Sequence, residues 1–162
     1  MECFSIMLVD DKDRQILRLL QEDMTKSYKA IAGELGIPVT TVYNRVKKME
    51  ENKIILGYKP ILDPVKLGLS TTSFLLITMR FKDPKNNPLN INAIAKEIAA
   101  YENVQEVHIV AGDWDILVKL KTNNVQEIGD FINKKLRYIE GVEKCLSSIS
   151  FSTQKETLDI PL

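Results

Sequence analysis

The spacing of apolar residues changes near Thr71, and this change constrains the fold more than any other feature of the 162-residue chain. Before that point, apolar residues recur every three or four positions, as they do along one face of a helix. After it, apolar runs typical of strands alternate with helical segments. The change predicts an α+β chain with two domains of different architecture.

The second half of the chain contains six predicted elements in the order strand, helix, strand, strand, helix, strand. The strands are residues 73–81, 104–111, 115–121 and 142–152, and the helices are residues 91–101 and 125–136. A loop rich in proline and asparagine, residues 82–88, separates the first strand from the first helix. This order predicts a C-terminal ferredoxin-like βαββαβ domain.

The first third of the chain contains three predicted helices, at residues 10–23, 27–35 and 38–52. Asp10 or Asp11 can cap the first helix, and Ser27 can cap the second. Gly36 supplies the left-handed conformation that ends the second helix, and Pro38 suits the first turn of the third. Two short helices joined by a tight turn predict a helix-turn-helix, in which the second helix enters the DNA major groove.

Residues 54–55 and 58–62, around Gly57, are predicted as short strands. They would form a small wing and a linker strand, which makes the N-terminal domain winged-helix-like. The predicted boundaries are 1–57 for the DNA-binding domain, 58–70 for the linker strand and turn, and 71–162 for the C-terminal domain.

The third helix has an apolar face and a polar face. The apolar stripe, predicted to be buried, consists of Val39, Val42, Val46 and Met49. The predicted contacts to base edges are Thr40, Thr41 and Asn44, because Asn can bond adenine twice and a Thr methyl group can touch a thymine methyl group. The predicted contacts to phosphate are Tyr43, Arg45, Lys47 and Lys48. The alternative is an amphipathic helix whose polar face is merely solvated.

The distribution of charge favours the DNA interpretation. The chain as a whole has 22 basic and 22 acidic residues, so any attraction to DNA must be local. Between Thr25 and Lys59, seven basic residues stand against three acidic ones, a surplus of four positive charges. The positive charge is therefore concentrated around the predicted helix-turn-helix.

A predicted tight turn between two strands carries Gly112, Asp113, Trp114 and Asp115. Gly112 permits an unusual backbone angle, and the two carboxylates can accept bonds from backbone donors or from an ammonium group. One interpretation is a hairpin stabilised by its aspartates. The other is a pocket for a small zwitterion, with a carboxylate meeting its amino group.

Several short stretches, taken in order, resemble the Lrp/AsnC (leucine-responsive regulator / asparagine-regulator) family of prokaryotic transcription factors. They are residues 9–17, 31–36, 42–50, 57–58, 62–64, 67–68, 112–115 and 141–142. The chain departs from the family pattern at four positions: at Met24 and Thr25, where glycine and arginine are common, at Pro38, where serine is usual, and at Cys145, where threonine is frequent.

The resemblance implies DNA binding by the N-terminal domain and assembly and regulation by the C-terminal domain. It implies a homodimer, possibly built up into an octamer, with an amino-acid effector bound between dimers. Carried over to this chain, the implied effector-binding residues are Gly112, Asp113, Asp115 and Ser147.

We therefore predict a sequence-specific regulator of transcription that binds double-stranded DNA and responds to an amino acid, without a metal or other cofactor. One rival is an architectural DNA-binding protein with little sequence preference and no effector. The other is an enzyme in which Asp113 and Asp115 bind a metal or act as acid and base, although His108 is the sole histidine. Two widely separated cysteines, Cys3 and Cys145, and the lack of a long apolar run predict a cytoplasmic protein.

Overall fold

The computed structural model describes residues 9–162; residues 1–8, which include Cys3 and the start of the predicted DNA-binding domain, lie outside it. The chain forms two compact units. The first unit extends to Ile61 and also contains Glu156–Leu162, and the second is Leu62–Lys155. Within the described residues, no helix has the length and apolar character needed to cross a membrane.

From residue 9 onward, the first unit contains three helices: α1 (Asp11–Glu22), α2 (Tyr28–Leu35) and α3 (Val39–Glu51). Asp10 caps α1, and its partner in a reciprocal capping box is Asp13. The Ser27 side chain caps α2 by accepting a bond from the Ala30 amide, and Gly36 ends that helix at φ 63°. The predicted helix-turn-helix is therefore confirmed.

The core of this unit lies where the three helices meet. It consists of Ile16, Ile31, Ala32, Val42, Val46 and Met49. The prediction that Val39 belongs to the buried stripe was wrong, because its side chain is 44% exposed. Val39 is the first residue of α3, about one helical turn before the positions that reach the core.

Pro38 lies just outside α3, whereas the sequence predicted it inside the first turn. It is the N-cap residue, with an extended backbone and no side-chain capping bond. Its carbonyl accepts a bond from the Thr41 amide at 2.9 Å. Where a serine cap would satisfy one of the first free amides of the helix, proline offers no side-chain acceptor.

The predicted wing is wrong, because the described chain forms no strand between α3 and residue 71. The amides of Ile54 and Ile55 both donate to the Met49 carbonyl, at 2.8 and 3.2 Å, and are not available for a strand ladder. Both side chains pack against the helical core instead. The described part of the first unit is thus a helix-turn-helix without a sheet.

The last residues of the chain also differ from the prediction, which assigned them to the C-terminal domain. Glu156–Leu162 belongs to the first unit. The Gln21 side chain donates to the Ile160 carbonyl at 3.1 Å and accepts from its amide at 2.8 Å, and Arg18 bonds the Leu162 carbonyl. These contacts attach the segment to α1.

The second unit contains β1 (Thr71–Met79), α4 (Ile91–Ala99), β2 (Val104–Ile109), β3 (Ile116–Thr122), α5 (Val125–Lys134) and β4 (Val142–Ile149). A short 3₁₀ turn, Leu136–Tyr138, follows α5, where the sequence predicted helix through Leu136. The strands form one antiparallel sheet in the order β2-β3-β1-β4. The predicted ferredoxin-like arrangement is confirmed.

The two faces of the sheet differ in what covers them. On the helix side, strand residues such as Leu75, Ile77 and Val118 are fully buried in one core with Ile98 and Phe131. Alternate residues point to the other face, where Leu117, Leu76 and Leu146 form a row across three strands. Phe74 lies on the same face as this row and is 37% exposed.

Gly141 allows β4 to start close to α4. Its φ of 97° is unfavourable for other residues, and an added Cβ would lie 2.9 Å from the Leu89 Cδ1 and 3.1 Å from the Ile94 Cδ1. We expect Gly141→Ala to lower the free energy of unfolding by about 1–3 kcal/mol, through backbone strain and overpacking. Urea unfolding followed by circular dichroism would measure it.

Gly129→Ala is the matched control in the same unit. Gly129 lies inside α5, and its added Cβ would meet no atom within 4 Å. Alanine should raise stability there by about 0.5–1 kcal/mol. Equal stabilisation by both substitutions would contradict the tight packing inferred at Gly141.

Candidate nucleic-acid interface and effector site

Helix α3 presents a polar face opposite the stripe that it buries. Val42, Val46 and Met49 are at most 3% exposed, whereas Thr40, Asn44 and Lys48 are exposed. Thr41 is half-buried at the edge of this face. The predicted readers therefore lie on a helix that its own apolar side holds in place.

A groove of about 420 Å³ runs beside this polar face, between α3 and the start of α1. Its lining combines three predicted DNA contacts, Thr41, Asn44 and Lys48, with the carboxylates of Asp10 and Asp13. Positively and negatively charged side chains thus lie together at one surface of the first unit.

The two lysines predicted to bind phosphate are not held by strong ion pairs. The Lys47 ammonium lies 3.9 Å from the Glu51 carboxylate, with both side chains more than half exposed. Lys48 forms no ion pair with any residue in the range 9–162. Exposed pairs of this kind contribute little to stability, so both ammonium groups are available to an anion.

Two tyrosines are held in place at α3: Tyr43 belongs to the helix, and Tyr58 is bonded to it. The Tyr43 ring is 51% exposed and packs edge-on against Tyr28, with 6.3 Å between ring centroids. The Tyr58 hydroxyl donates to the Glu50 carboxylate at 2.8 Å. Burial, followed by this bond, raises the pKa of Tyr58 above its ordinary value. Sequence reasoning missed Tyr58, because no local pattern links it to Glu50.

Arg45 differs from the other predicted phosphate contacts. Its Nη1 donates to Asp10 Oδ2 at 2.6 Å and to Asp13 Oδ1 at 2.7 Å. These bonds raise the pKa of the guanidinium, the bond to Asp13 more than the bond to Asp10. The sequence identified Asp10 as a cap but missed this second role; the Asp-x-x-Asp spacing of a capping box was the available signal.

The turn between β2 and β3 uses one of its two aspartates for the fold. Asp115 Oδ2 accepts a bond from the Met79 amide at 2.7 Å, and the Asp115 amide donates to the Ile77 carbonyl at 2.9 Å. The carboxylate therefore satisfies a backbone donor at the end of β1. The donor belongs to the neighbouring strand β1, whereas the sequence predicted that it would be a backbone amide of the turn or the ammonium group of a ligand.

The rest of this turn is more open. Gly112 has a φ of 130°, and Asp113 is exposed and accepts no hydrogen bond from the described residues. Trp114 lies beneath the Lys144 ammonium, which is 5.5 Å from the ring centroid. Ser147 is exposed on β4 opposite Leu75, so β1 separates its strand from β3, the strand that Asp115 precedes.

His108 and Cys145 lie on β2 and β4, the two edge strands of the sheet. His108 is more than half exposed and lies 3.4 Å from Glu106. Burial raises the pKa of the Cys145 thiol to about 11, which keeps it protonated at neutral pH. Among residues 9–162, no three His, Cys, Asp or Glu side chains come together as a metal site would require.

Two family models match the chain. Residues 9–50 match the AsnC-type helix-turn-helix domain, and residues 72–160 match the Lrp/AsnC ligand-binding domain. An uncharacterised HTH-type transcriptional regulator from Pyrococcus furiosus is 39% identical over 151 residues, which cover 93% of this chain and 98% of that protein.

Solved structures give the same assignment. An AsnC family transcriptional regulator from Agrobacterium tumefaciens is 27% identical, with a TM-score of 0.85, covering 94% of this chain and 96% of that one. A transcriptional regulator from Neisseria meningitidis, solved in complex with L-methionine, has a TM-score of 0.85 at 20% identity, over 95% and 97% of the two chains. The chain therefore belongs to the Lrp/AsnC family and is a transcriptional regulator with a helix-turn-helix DNA-binding domain, not an enzyme.

Proposed function

We propose that this regulator binds a specific DNA sequence as a homodimer or a larger assembly, and that an amino acid bound by the C-terminal domain modulates its affinity for DNA. The observation that carries the proposal is the exposed polar face of α3, whose opposite side is fully buried. A helix fixed in this way can present the same side chains to every DNA molecule that it meets.

The side chains of α3 divide into two groups by chemistry. Thr40, Thr41 and Asn44 lie in the first half of the helix, the part that reaches base edges in helix-turn-helix proteins. Tyr43, Lys47 and Lys48 supply a hydroxyl and two ammonium groups for phosphate oxygens. We assign sequence reading to the first group and anchoring to the second.

Selection of bound sequences from a random pool of double-stranded DNA would test this assignment. Asn44→Ala should cost about 1–3 kcal/mol on the selected sequence and relax the preference at one base pair. Lys48→Ala should weaken binding to all sequences similarly. Lys85→Ala, which removes an exposed lysine from the loop before α4, is the matched control and should change neither.

If neither Asn44→Ala nor Lys48→Ala changed the affinity for DNA, this face of α3 would not be the one that reads DNA. A steep dependence on salt with no gain for any sequence would instead favour an architectural DNA-binding protein. The random pool separates the two kinds of protein: a sequence-specific regulator yields a consensus sequence, and an architectural protein yields none.

A homodimer would give a partner to the face of the sheet that residues 9–162 leave uncovered. Leu117, Leu76 and Leu146 form an apolar row there, and Leu146 is 46% exposed. A second copy could bury this row against its own, since twofold interfaces pair the same surface on both subunits. The dimer would place two recognition helices on half-sites roughly one helical turn, or a multiple of it, apart.

We expect Leu146→Lys to weaken the dimer, because it places a charge in an apolar interface. Sedimentation equilibrium should show a larger share of monomer than for the unchanged protein. Val125→Lys is the control, since Val125 is similarly exposed at 54% but lies on α5, on the helix side of the sheet. If Leu146→Lys left the mass unchanged, the dimer interface would lie elsewhere. A mass of eight chains for the unchanged protein would identify an octamer.

The proposed effector is an amino acid bound between dimers at the Gly112–Asp115 turn. Two regulators of the same fold, from Neisseria meningitidis and Mycobacterium tuberculosis, were solved with L-methionine. Asp113 has a free carboxylate for an ammonium group, whereas one oxygen of Asp115 is already bonded to the Met79 amide. We therefore place Asp113 in direct contact with the effector and Gly112 beside it. Ser147 lies on β4, which β1 separates from β3 within one chain, so it would reach the effector from a neighbouring copy.

Each of the twenty amino acids can be added in turn to the DNA-binding assay. We expect at least one to change the affinity about fivefold or more, the usual scale of such coupling. Asp113→Ala should abolish that response while leaving DNA binding without the effector intact. Glu102→Ala removes an exposed carboxylate near the opposite end of β2 and should leave the response unchanged. A response that survives Asp113→Ala would remove Asp113 from the site.

A further inference from the structure

Arg45 joins the recognition helix to the first helix through two carboxylates that are distant in sequence. Its Nη1 contacts Asp10 and Asp13, which lie 35 and 32 residues earlier in the chain, at 2.6 and 2.7 Å. Arg45 is one residue after Asn44 and one before the buried Val46. Arg45 lines the same groove as Thr41, Asn44 and Lys48, so the contact is made beside the proposed reading face.

The capping box of α1 fixes the orientation of both carboxylates. Asp10 uses Oδ1 to accept from the Asp13 amide and Oδ2 to accept from Arg45. Asp13 uses Oδ2 to accept from the Asp10 amide and Oδ1 to accept from Arg45. All four oxygens are engaged, so the start of α1 holds its carboxylates ready for the guanidinium.

Burial and charge both argue against a phosphate partner for Arg45. Its side chain is 29% exposed and that of Asp13 is 18% exposed. One guanidinium and two carboxylates leave the cluster with a single net negative charge, which repels phosphate. The two carboxylates already occupy Nη1, so a phosphate that approached the other donors of the guanidinium would meet their negative charge.

We propose that Arg45 is a positioning residue, which locks α3 to the capped start of α1 so that Asn44 and Lys48 meet DNA, and that it does not bind phosphate itself. The bond from Arg45 is also the largest of the influences that lower the pKa of Asp10. This inference rests on the proposed function, since it assigns the reading face to α3.

The salt dependence of DNA binding by the full chain distinguishes positioning from phosphate contact. The logarithm of the binding constant falls with the logarithm of salt concentration, with a slope set by the number of phosphates contacted. Arg45→Met keeps the aliphatic stem and should lower affinity about tenfold with the slope unchanged. Lys48→Met, the matched comparison, should reduce the slope by about one for each copy bound. A similar reduction for Arg45→Met would overturn the proposal.

The double substitution Asp10→Asn with Asp13→Asn gives an independent test, because the two hypotheses predict opposite signs. Asparagine keeps an oxygen for each capping bond, so α1 remains capped while the ion pairs are lost. Positioning predicts weaker DNA binding, about as weak as for Arg45→Met, and no further loss when all three changes are combined. If Arg45 were a phosphate ligand restrained by carboxylates, removing two negative charges would strengthen binding, and that result would overturn the proposal.

Amide hydrogen exchange in the full chain without DNA separates this inference from the proposed function. Arg45→Met and the double asparagine variant should both speed exchange in the α3 amides, while exchange in the sheet of the second unit stays unchanged. Unchanged exchange in α3 would overturn the positioning role. Failure of the unchanged protein to select any DNA sequence would overturn the proposed function and leave the exchange result standing.

Discussion

Burial of one side of α3 is the interaction on which the DNA-binding half of the molecule depends. Val42, Val46 and Met49 lose nearly all of their exposed surface against residues such as Ile16 and Ile31. Each such side chain contributes on the order of 1.5–3 kcal/mol when fully buried. Because these three positions recur at helical spacing, their burial fixes the rotation of the helix about its axis. That rotation turns Asn44 and Lys48 toward solvent, and the Arg45 contacts to Asp10 and Asp13 join α3 to the start of α1.

The second half of the molecule depends in a similar way on β1. This strand lies between β3 and β4, and its alternate residues divide between the helix-covered core and the uncovered face. Leu75 and Ile77 contribute to stability, whereas Leu76 and Phe74 remain on the uncovered face. A shift of register by one residue would exchange these two sets, so the core that stabilises the domain also determines which surface is left for another copy.

Features that depend on neighbours in sequence were predicted well. Asp10, Ser27 and Gly36 act within a few residues of themselves, and each caps or ends the predicted helix. The alternation of apolar residues likewise predicted the four strands, since it reflects burial on one side of a sheet. The predicted starts of β2 and β4 are exact, and the other predicted strand ends differ from the observed ones by one to three residues.

Features that depend on distant partners were missed or predicted wrongly. Ile54 and Ile55 are apolar and suit a strand, but their amides bond to Met49 at the end of α3. Asp115 bonds the Met79 amide 36 residues away, and the partners of Arg45 lie in another helix. A charged side chain reads the same in a sequence whether it faces DNA, an effector or a carboxylate of the same chain. Only the folded structure distinguishes these roles.

The separation of the chain into two compact units limits how an amino acid could regulate DNA binding. An effector changes an equilibrium only if it binds one state of the protein more tightly than another. An effector that is held by one domain of a single chain does not touch DNA. It can favour the DNA-binding state only if effector binding and DNA binding depend on the same state of the protein. In the mechanism that we propose, assembly would supply that state, because a site shared between dimers would exist only in the larger assembly, and the assembly would set the number and spacing of recognition helices. The coupling must then be reciprocal: DNA whose half-sites fit the assembly should tighten effector binding by the same factor.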